Sequence, residues 1–142
     1  MTVASTTPRA EHISKSLTLA AIVTSPRTAR VAARSLLAEW GLAALTDSVE
    51  LVVGELMANA VRASMEHDVP HPVQFRMSAR GSTVLIAVWD DDPRAPCEQE
   101  QIDADSENGR GLLLVTGVSA RWGWKRLQQG KVVWAEVRED ES

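Results

Sequence analysis

The chain has 142 residues, enough for one compact domain that buries its own apolar core without metals or disulfides. Its hydrophobic fraction of 44%, charged fraction of 24% and net charge of -4 are typical of a soluble globular protein and argue against nucleic acid as a direct partner. No stretch approaches the roughly 20 apolar residues that span a membrane, and the first residues lack the apolar centre of a secretion signal. We therefore predict a cytoplasmic protein with no membrane partner, in which the single cysteine, Cys97, forms no internal disulfide.

The beginning of the chain predicts a tail, a strand and a helix. Residues 1–15 are expected to be a flexible tail, and the alternating segment Ser16–Ile22 predicts a strand. Ser25 is a candidate cap for the helix that follows, and Gly41 is expected to end it.

Three arginines of this first helix, Arg27, Arg30 and Arg34, recur at helical spacing and share one predicted face. The ordinary interpretation is a solvated face. On a chain whose net charge is negative, a basic row is also suited to contact an acidic partner. Both interpretations stay open.

The next helix is predicted over the sequence DSVELVVGELMANAVRASME, started by Thr46 or Asp47, with Asp47 and Glu50 in the pattern of a capping box. Its apolar stripe is formed by Val49, Val52, Val53, Leu56, Met57, Ala60 and Val61. Glu55 and Asn59 are four residues apart on the polar side, so one helical turn separates them. A solvated helix face explains this pair as well as a functional site does.

The second half of the chain predicts two hairpins separated by a loop and a helix. The hairpins join four alternating segments, 73–79 with 83–89 and 121–127 with 131–137. Between them, 90–108 is strongly acidic and is predicted to be a long mobile loop, and a helix follows directly behind paired glycines. Residues 139–142 are an acidic tail. This order predicts an α+β two-layer sandwich with a mixed or antiparallel sheet.

Two features of this half suggest chemistry. Gly109 and Gly111 stand at the start of a helix, where backbone N–H groups and the helix dipole can hold phosphates, although two glycines also permit a simple turn. Asp90 follows an apolar strand next to Trp89, so it is either the acceptor for a buried donor or a turn-forming residue.

Taken in order, the segments ELMANAV, VWDDDPRAP and GRGL strongly resemble the N box and the two glycine boxes of the GHKL ATPase superfamily, which includes gyrase B and the histidine kinases. The sequence is closer to the single-domain branch of anti-sigma-factor serine/threonine kinases, because GRGLLLV and the WGW and GKVVWAE segments also resemble that branch. The resemblance covers about residues 16–138 and implies one ATP-binding domain of the Bergerat type.

The resemblance implies a role for each site residue. Glu55 resembles the general base that orients the attacking hydroxyl, and Asn59 resembles the ligand of a Mg²⁺ ion that bridges the ATP phosphates. Asp90 resembles the carboxylate that receives the adenine amino group, next to which Trp89 is expected to report binding by fluorescence. The acidic loop resembles the ATP lid, and the residues implied near the phosphates are Gly109, Arg110, Gly111 and Leu112.

Four positions depart from the family pattern. Asp92 and Arg94 occupy the glycine positions of the first glycine box, and the charge of Asp92 is expected to weaken polyphosphate binding unless Mg²⁺ or an arginine offsets it. Ala63 replaces a histidine that is frequent in the branch. Lys131 replaces the threonine that often follows the glycine of the last hairpin, which predicts fewer contacts with adenine.

Two functions from different classes follow from the resemblance. In the first, the protein is a serine/threonine kinase that phosphorylates a STAS-type anti-anti-sigma antagonist and binds a sigma factor, either as a monomer or as a homodimer. In the second, it is a non-catalytic signalling module in which ATP shapes a surface for a partner. Retention of Glu55 favours the first, because a module that only binds does not need a base.

Overall fold

A computed structural model describes residues 13–96 and 107–139, and for 107–111 it describes the backbone alone. These ranges contain five strands and three α-helices. The strands are β1 (Ile13–Leu19), β2 (Val73–Arg80), β3 (Thr83–Asp90), β4 (Arg121–Arg126) and β5 (Lys131–Arg138). The helices are α1 (Ser25–Glu39), α2 (Thr46–Met65) and α3 (Glu107–Val118), and a 3-10 turn at Ala43–Leu45 joins the first two.

The five strands form one antiparallel sheet in the order β1-β2-β3-β5-β4. The last strand in sequence, β5, is therefore inserted between β3 and β4. Its register against β3 runs from Thr83 opposite Arg138 to Asp90 opposite Lys131. The carboxyl end of β3 and the amino end of β5 consequently lie side by side.

The helices pack against one face of the sheet, and the apolar core lies between the two layers. Alternate side chains of β2, at Val73, Phe75, Met77 and Ala79, are buried in this core. All seven residues of the stripe predicted for α2 are buried as well. The predicted α+β two-layer sandwich is therefore confirmed, and its sheet is antiparallel.

The first strand and the first helix differ in detail from the prediction. β1 begins at Ile13, so it starts and ends three residues before the predicted Ser16–Ile22. Ser25 does not cap α1, because its hydroxyl donates to the carbonyl of Ala20 at 2.6 Å. Gly41 follows the end of α1 as predicted, with a φ of 75°.

α2 begins at Thr46, one of the two predicted starts, but its predicted cap and the predicted start of α3 were wrong. The backbone N–H of Thr46, the first residue of α2, donates to the carbonyl of Ala43 in the preceding 3-10 turn. The cap position is Leu45, and no side chain binds there, so the capping box of Asp47 and Glu50 is not formed. α3 begins at Glu107, and Gly109 and Gly111 therefore lie inside this helix and not in front of it.

The predicted tails and loop fall partly outside the described ranges. This applies to residues 1–12, to 97–106 with Cys97, and to 140–142. Among the described helices, none is long and apolar enough to cross a membrane.

Candidate functional site

The predicted site residues lie where α2 packs against both β3 and α3. Glu55 and Asn59 are on α2, Asp90 is the last residue of β3, and residues 109–112 are in the first turns of α3. Asn59 and Leu112 are buried, whereas Glu55 is half-buried. The fold brings these three elements together, although the side chains at 109–111 lie outside the described part. The roles of all the predicted site residues stay predictions.

Asn59 connects α2 to the segment that follows β3. Its Nδ2 donates a hydrogen bond to the carbonyl oxygen of Pro96 at 3.1 Å, and the residue is only 8% exposed. A buried amide requires hydrogen-bond partners, so this contact holds the segment against the helix. The residue predicted to bind Mg²⁺ therefore also positions the chain beyond Asp90. No sequence signal pointed to Pro96, because the contact spans 37 residues.

Asp90 is fully buried, and its two carboxylate oxygens have different surroundings. Oδ1 accepts hydrogen bonds from Lys131 Nζ at 3.0 Å and from the backbone N–H of Asp92 at 2.8 Å. Oδ2 is also buried, and it has no hydrogen-bond partner among the described residues. Asp90 is thus both the acceptor of a buried donor and a turn-forming residue, the two interpretations that its sequence position left open.

The unpaired Oδ2 fits a base that carries an amino group. A buried acceptor without a donor costs free energy, and a ligand N–H at this point removes that cost. The exocyclic amino group of adenine is such a donor. Burial raises the pKa of Asp90, and the charge of Lys131 and the two hydrogen bonds to Oδ1 counteract part of this effect.

The two charged residues at the missing glycine positions bind each other. Arg94 Nη2 lies 2.6 Å from Asp92 Oδ2, and Arg94 Nε lies 3.1 Å from both carboxylate oxygens. The same guanidinium also binds Glu66 just beyond α2. Burial acts to raise the pKa of Asp92, but the hydrogen bonds and charge of Arg94 outweigh it and lower the pKa to about 2. An arginine therefore offsets the charge of Asp92, which is the condition stated above for polyphosphate binding.

A cleft of about 580 Å³ lies next to Glu55, between the start of α1 and the exposed side of α2. The basic residues that line it are Arg27, Arg30 and Arg62. Gly54 allows Arg30 to lie across α2, because a Cβ atom at Gly54 would stand 2.7 Å from Arg30 Nη1. The half-buried carboxylate predicted as the base is consequently at the edge of a basic cleft.

The arginine face predicted for α1 is divided in the structure. Arg27 and Arg30 line the cleft, whereas Arg34 Nε donates to Glu50 of α2. The charge of Arg34 is thus partly neutralised within the fold, and only the first two arginines are placed to act next to Glu55.

Trp89 does not have its predicted position beside the adenine site. Successive side chains of a strand point to opposite faces, so Trp89 and Asp90 lie on opposite sides of the sheet. The indole N–H of Trp89 donates to the carbonyl of Gln129 at 3.0 Å. Trp122 of β4 packs on the helix side, where its indole N–H donates to Thr116 of α3 at 2.7 Å. Trp122 is the better optical reporter of events at α3.

The donor set fits Mg²⁺ shared with a nucleotide. In residues 13–96 and 107–139, no group of three or more His, Cys, Asp or Glu side chains is arranged to hold a metal by itself. Mg²⁺ prefers oxygen ligands and usually keeps several waters while it binds substrate phosphates, so one side chain such as Asn59 suffices.

Comparison with known proteins identifies the family and the fold of the chain. The sequence model of one protein family, the histidine kinase-like ATPase domain, matches residues 19–137. The chain belongs to this family. No curated protein matches the chain in sequence. Membership in this family of ATPase domains indicates that the chain binds ATP.

Two solved structures share the fold of this domain. The RsbU and RsbW domains of Rv1364c from Mycobacterium tuberculosis align over 89% of the chain with a TM-score of 0.67 and 20% identity. The histidine kinase domain of the blue-light-activated histidine kinase EL346 from Erythrobacter litoralis aligns over 66% with a TM-score of 0.50 and 23% identity. The chain spans only 32% and 44% of these two proteins, so the likeness concerns the domain fold.

Proposed function

We propose that this domain binds ATP with Mg²⁺ and phosphorylates a serine or threonine of a STAS-type anti-anti-sigma protein, and that it also binds a sigma factor. The observation that carries the nucleotide part is the buried Oδ2 of Asp90, which has no donor among the described residues. The kinase part is supported by Glu55 and Asn59 on consecutive turns of α2 and by the resemblance of their segment to anti-sigma-factor kinases.

Each residue of the site has a separate task in this proposal. Mg²⁺-ATP supplies the phosphoryl group and the positive charge that stabilises its transfer. Asp90 accepts the amino group of the base, and Asn59 is a metal ligand. α3 begins at Glu107, and the free backbone N–H groups of its first turn are offered to the phosphates. Glu55 accepts the proton of the attacking hydroxyl.

The basic cleft next to Glu55 supports an acidic protein as the phosphoryl acceptor. Arg27, Arg30 and Arg62 surround the side chain that is proposed to activate the hydroxyl. Charges of one sign at the entrance of a site attract a partner of opposite sign and speed its association. An acceptor serine within an acidic surface is the substrate that this cleft suits.

Nucleotide binding is tested by calorimetry of the full chain with ATP and Mg²⁺ at millimolar concentration. Asp90→Asn is expected to weaken binding by roughly 1–3 kcal/mol, because a hydrogen bond to a buried charged acceptor is lost. Ser48→Ala, at a half-buried position of α2 outside the proposed site, is the control and should bind as the wild type does. A folded wild type that produces no binding heat contradicts the proposal at its first step.

Phosphoryl transfer is tested with radiolabelled ATP and a STAS-type protein that the domain retains in a pull-down. Glu55→Ala should leave ATP affinity nearly unchanged and slow transfer by about 10²–10⁴-fold, the usual contribution of a positioned base. Asn59→Ala should weaken Mg²⁺-dependent binding and transfer together. Asp47→Ala removes an exposed carboxylate from the same helix and should change neither.

The same assay separates the kinase from the binding module. Transfer of label that depends on Glu55 supports the kinase. If a partner binds in an ATP-dependent way and never receives label, the chain is a nucleotide-controlled binding module. If Glu55→Ala transfers label at the wild-type rate, Glu55 is not the base.

A further inference from the structure

Lys131 is buried to an extent that is unusual for a lysine. It is only 1% exposed, and its ammonium group donates to Asp90 Oδ1 at 3.0 Å and to the carbonyl oxygen of Asp92 at 2.9 Å. Lysines are almost never fully buried unless they are paired. Lys131 and Asp90 therefore form a buried ion pair and not a surface contact.

The backbone around Lys131 is built for this contact. Asp90 and Lys131 are directly opposite each other in the β3 and β5 register. Gly130 comes immediately before, with a φ of 76°, and a Cβ atom there would lie 2.1 Å from the carbonyl oxygen of Asp90. Only a glycine permits so close an approach. The turn before β5 is thereby pressed onto the end of β3, next to the carboxylate that Lys131 binds.

This contact makes the two oxygens of Asp90 unequal. Lys131 and the Asp92 N–H occupy Oδ1, so Oδ2 is the oxygen that is left for a ligand. We propose that Lys131 is a positioning residue for nucleotide binding, which holds Oδ1 of Asp90 and presents Oδ2 alone to the amino group of the base. This inference rests on the proposed ATP site and deepens it, because it reverses the expectation that Lys131 merely removes a contact with adenine.

The charges around Asp90 give the physical reason. Two charged groups of the described residues face it, Lys131 from β5 and Asp92 from the turn after β3. Burial raises the pKa of Asp90 and the repulsion by Asp92 adds to this, whereas Lys131 lowers it. Without the lysine, the buried carboxylate takes up a proton at higher pH, and a neutral carboxyl group is a weaker acceptor.

The test is the pH dependence of Mg²⁺-ADP binding to the full chain, measured by calorimetry. For Lys131→Met, affinity should fall about tenfold per pH unit below a midpoint that lies at higher pH than in the wild type. Lys131→Arg keeps the charge and should return the midpoint towards the wild-type position. In the double variant Asp90→Asn with Lys131→Met, this acid limb should be absent, while titration of the nucleotide itself is common to all proteins.

A role of Lys131 in packing alone predicts a different result. Affinity would then fall equally at every pH, and an unmoved midpoint in Lys131→Met overturns the inference while the proposed function stands. A wild type that binds no ADP overturns both. If Lys131→Met does not fold, NMR of the wild type gives the answer: the Lys131 side-chain nitrogen signal must change as the Asp90 carboxyl carbon titrates, and a nitrogen signal that stays constant overturns the inference.

Discussion

Replacing Arg94 by Gln should destabilise the fold in a way that depends on pH. The variant keeps a polar side chain but loses the positive charge beside Asp92, which is only 1% exposed. The pKa of this carboxyl is lowered from 3.8 to about 2, and after burial is counted, Arg94 is the main cause. The difference between these values corresponds to about 2 kcal/mol of folding free energy at neutral pH.

The sign of the effect follows from the direction of the pKa change. Because the pKa of Asp92 is lower in the folded state, its ionised form stabilises the fold above about pH 4, and this stabilisation disappears as the pH falls through about 2. Arg94→Gln should therefore cost at least about 2 kcal/mol at pH 7, because burial then raises the pKa of Asp92 without opposition from Arg94, and about 1 kcal/mol at pH 3. The ion pair of Arg94 with Glu66 is at the surface and adds less than about 1 kcal/mol.

Urea unfolding at pH 7 and pH 3 measures both values. Arg121→Gln is the matched control, because it removes an ion pair with Glu136 from an arginine that is 67% exposed, and its cost should stay below about 1 kcal/mol. A loss that is equal at the two pH values, or a loss at pH 7 no larger than that of the control, would refute the argument that Arg94 stabilises an ionised, buried Asp92.

Two further predictions concern the cleft and the closing hairpin. Arg27→Glu and Arg30→Glu, each made alone, should slow association with an acidic partner and reduce its salt dependence in stopped-flow measurements. Arg34→Glu changes the charge by the same amount but should have a smaller effect because Arg34 lies outside the cleft; equal effects would assign the arginines to a general field. Gly130→Ala should cost about 3 kcal/mol or more in urea unfolding, because its Cβ atom would lie 2.1 Å from the backbone of β3. Gly41 has a similar φ but open space around it, so Gly41→Ala should cost about 1–2 kcal/mol. Similar costs would mean that the close approach is absent in solution.

The fold was predictable because its main elements carry strong periodic patterns. The stripe of α2 and the alternation of β2 and β3 are each long enough to fix which residues face the core. The errors concern helix starts, where local side chains compete with neighbouring backbone. At α2, the carbonyl of Ala43 in the 3-10 turn binds the first N–H, and no side-chain hydrogen bond is formed at the cap position.

The site was predictable only as a set of residue types. Glu55, Asn59 and Asp90 were identified from their motif segments, but their partners depend on the tertiary structure. The contact between Asp90 and Lys131 joins residues 41 positions apart, and it follows from the register of two strands whose pairing no local pattern specifies. The sequence showed Lys131 as a departure from a pattern, and the structure shows that the departure has a partner.

The insertion of β5 between β3 and β4 has a consequence for how the protein is made on the ribosome. β4 is synthesised before β5, yet its only strand neighbour in the described sheet is β5. Until β5 emerges, the backbone of β3 has an open edge, and the carboxylate of Asp90 lacks its cation. A nascent chain that ends at β4 therefore contains most of the residues of the core but lacks the strand that joins β4 to β3. Completion of the proposed nucleotide site and completion of the sheet become the same late event, so a folding chaperone would encounter an open strand edge and an unfinished site together.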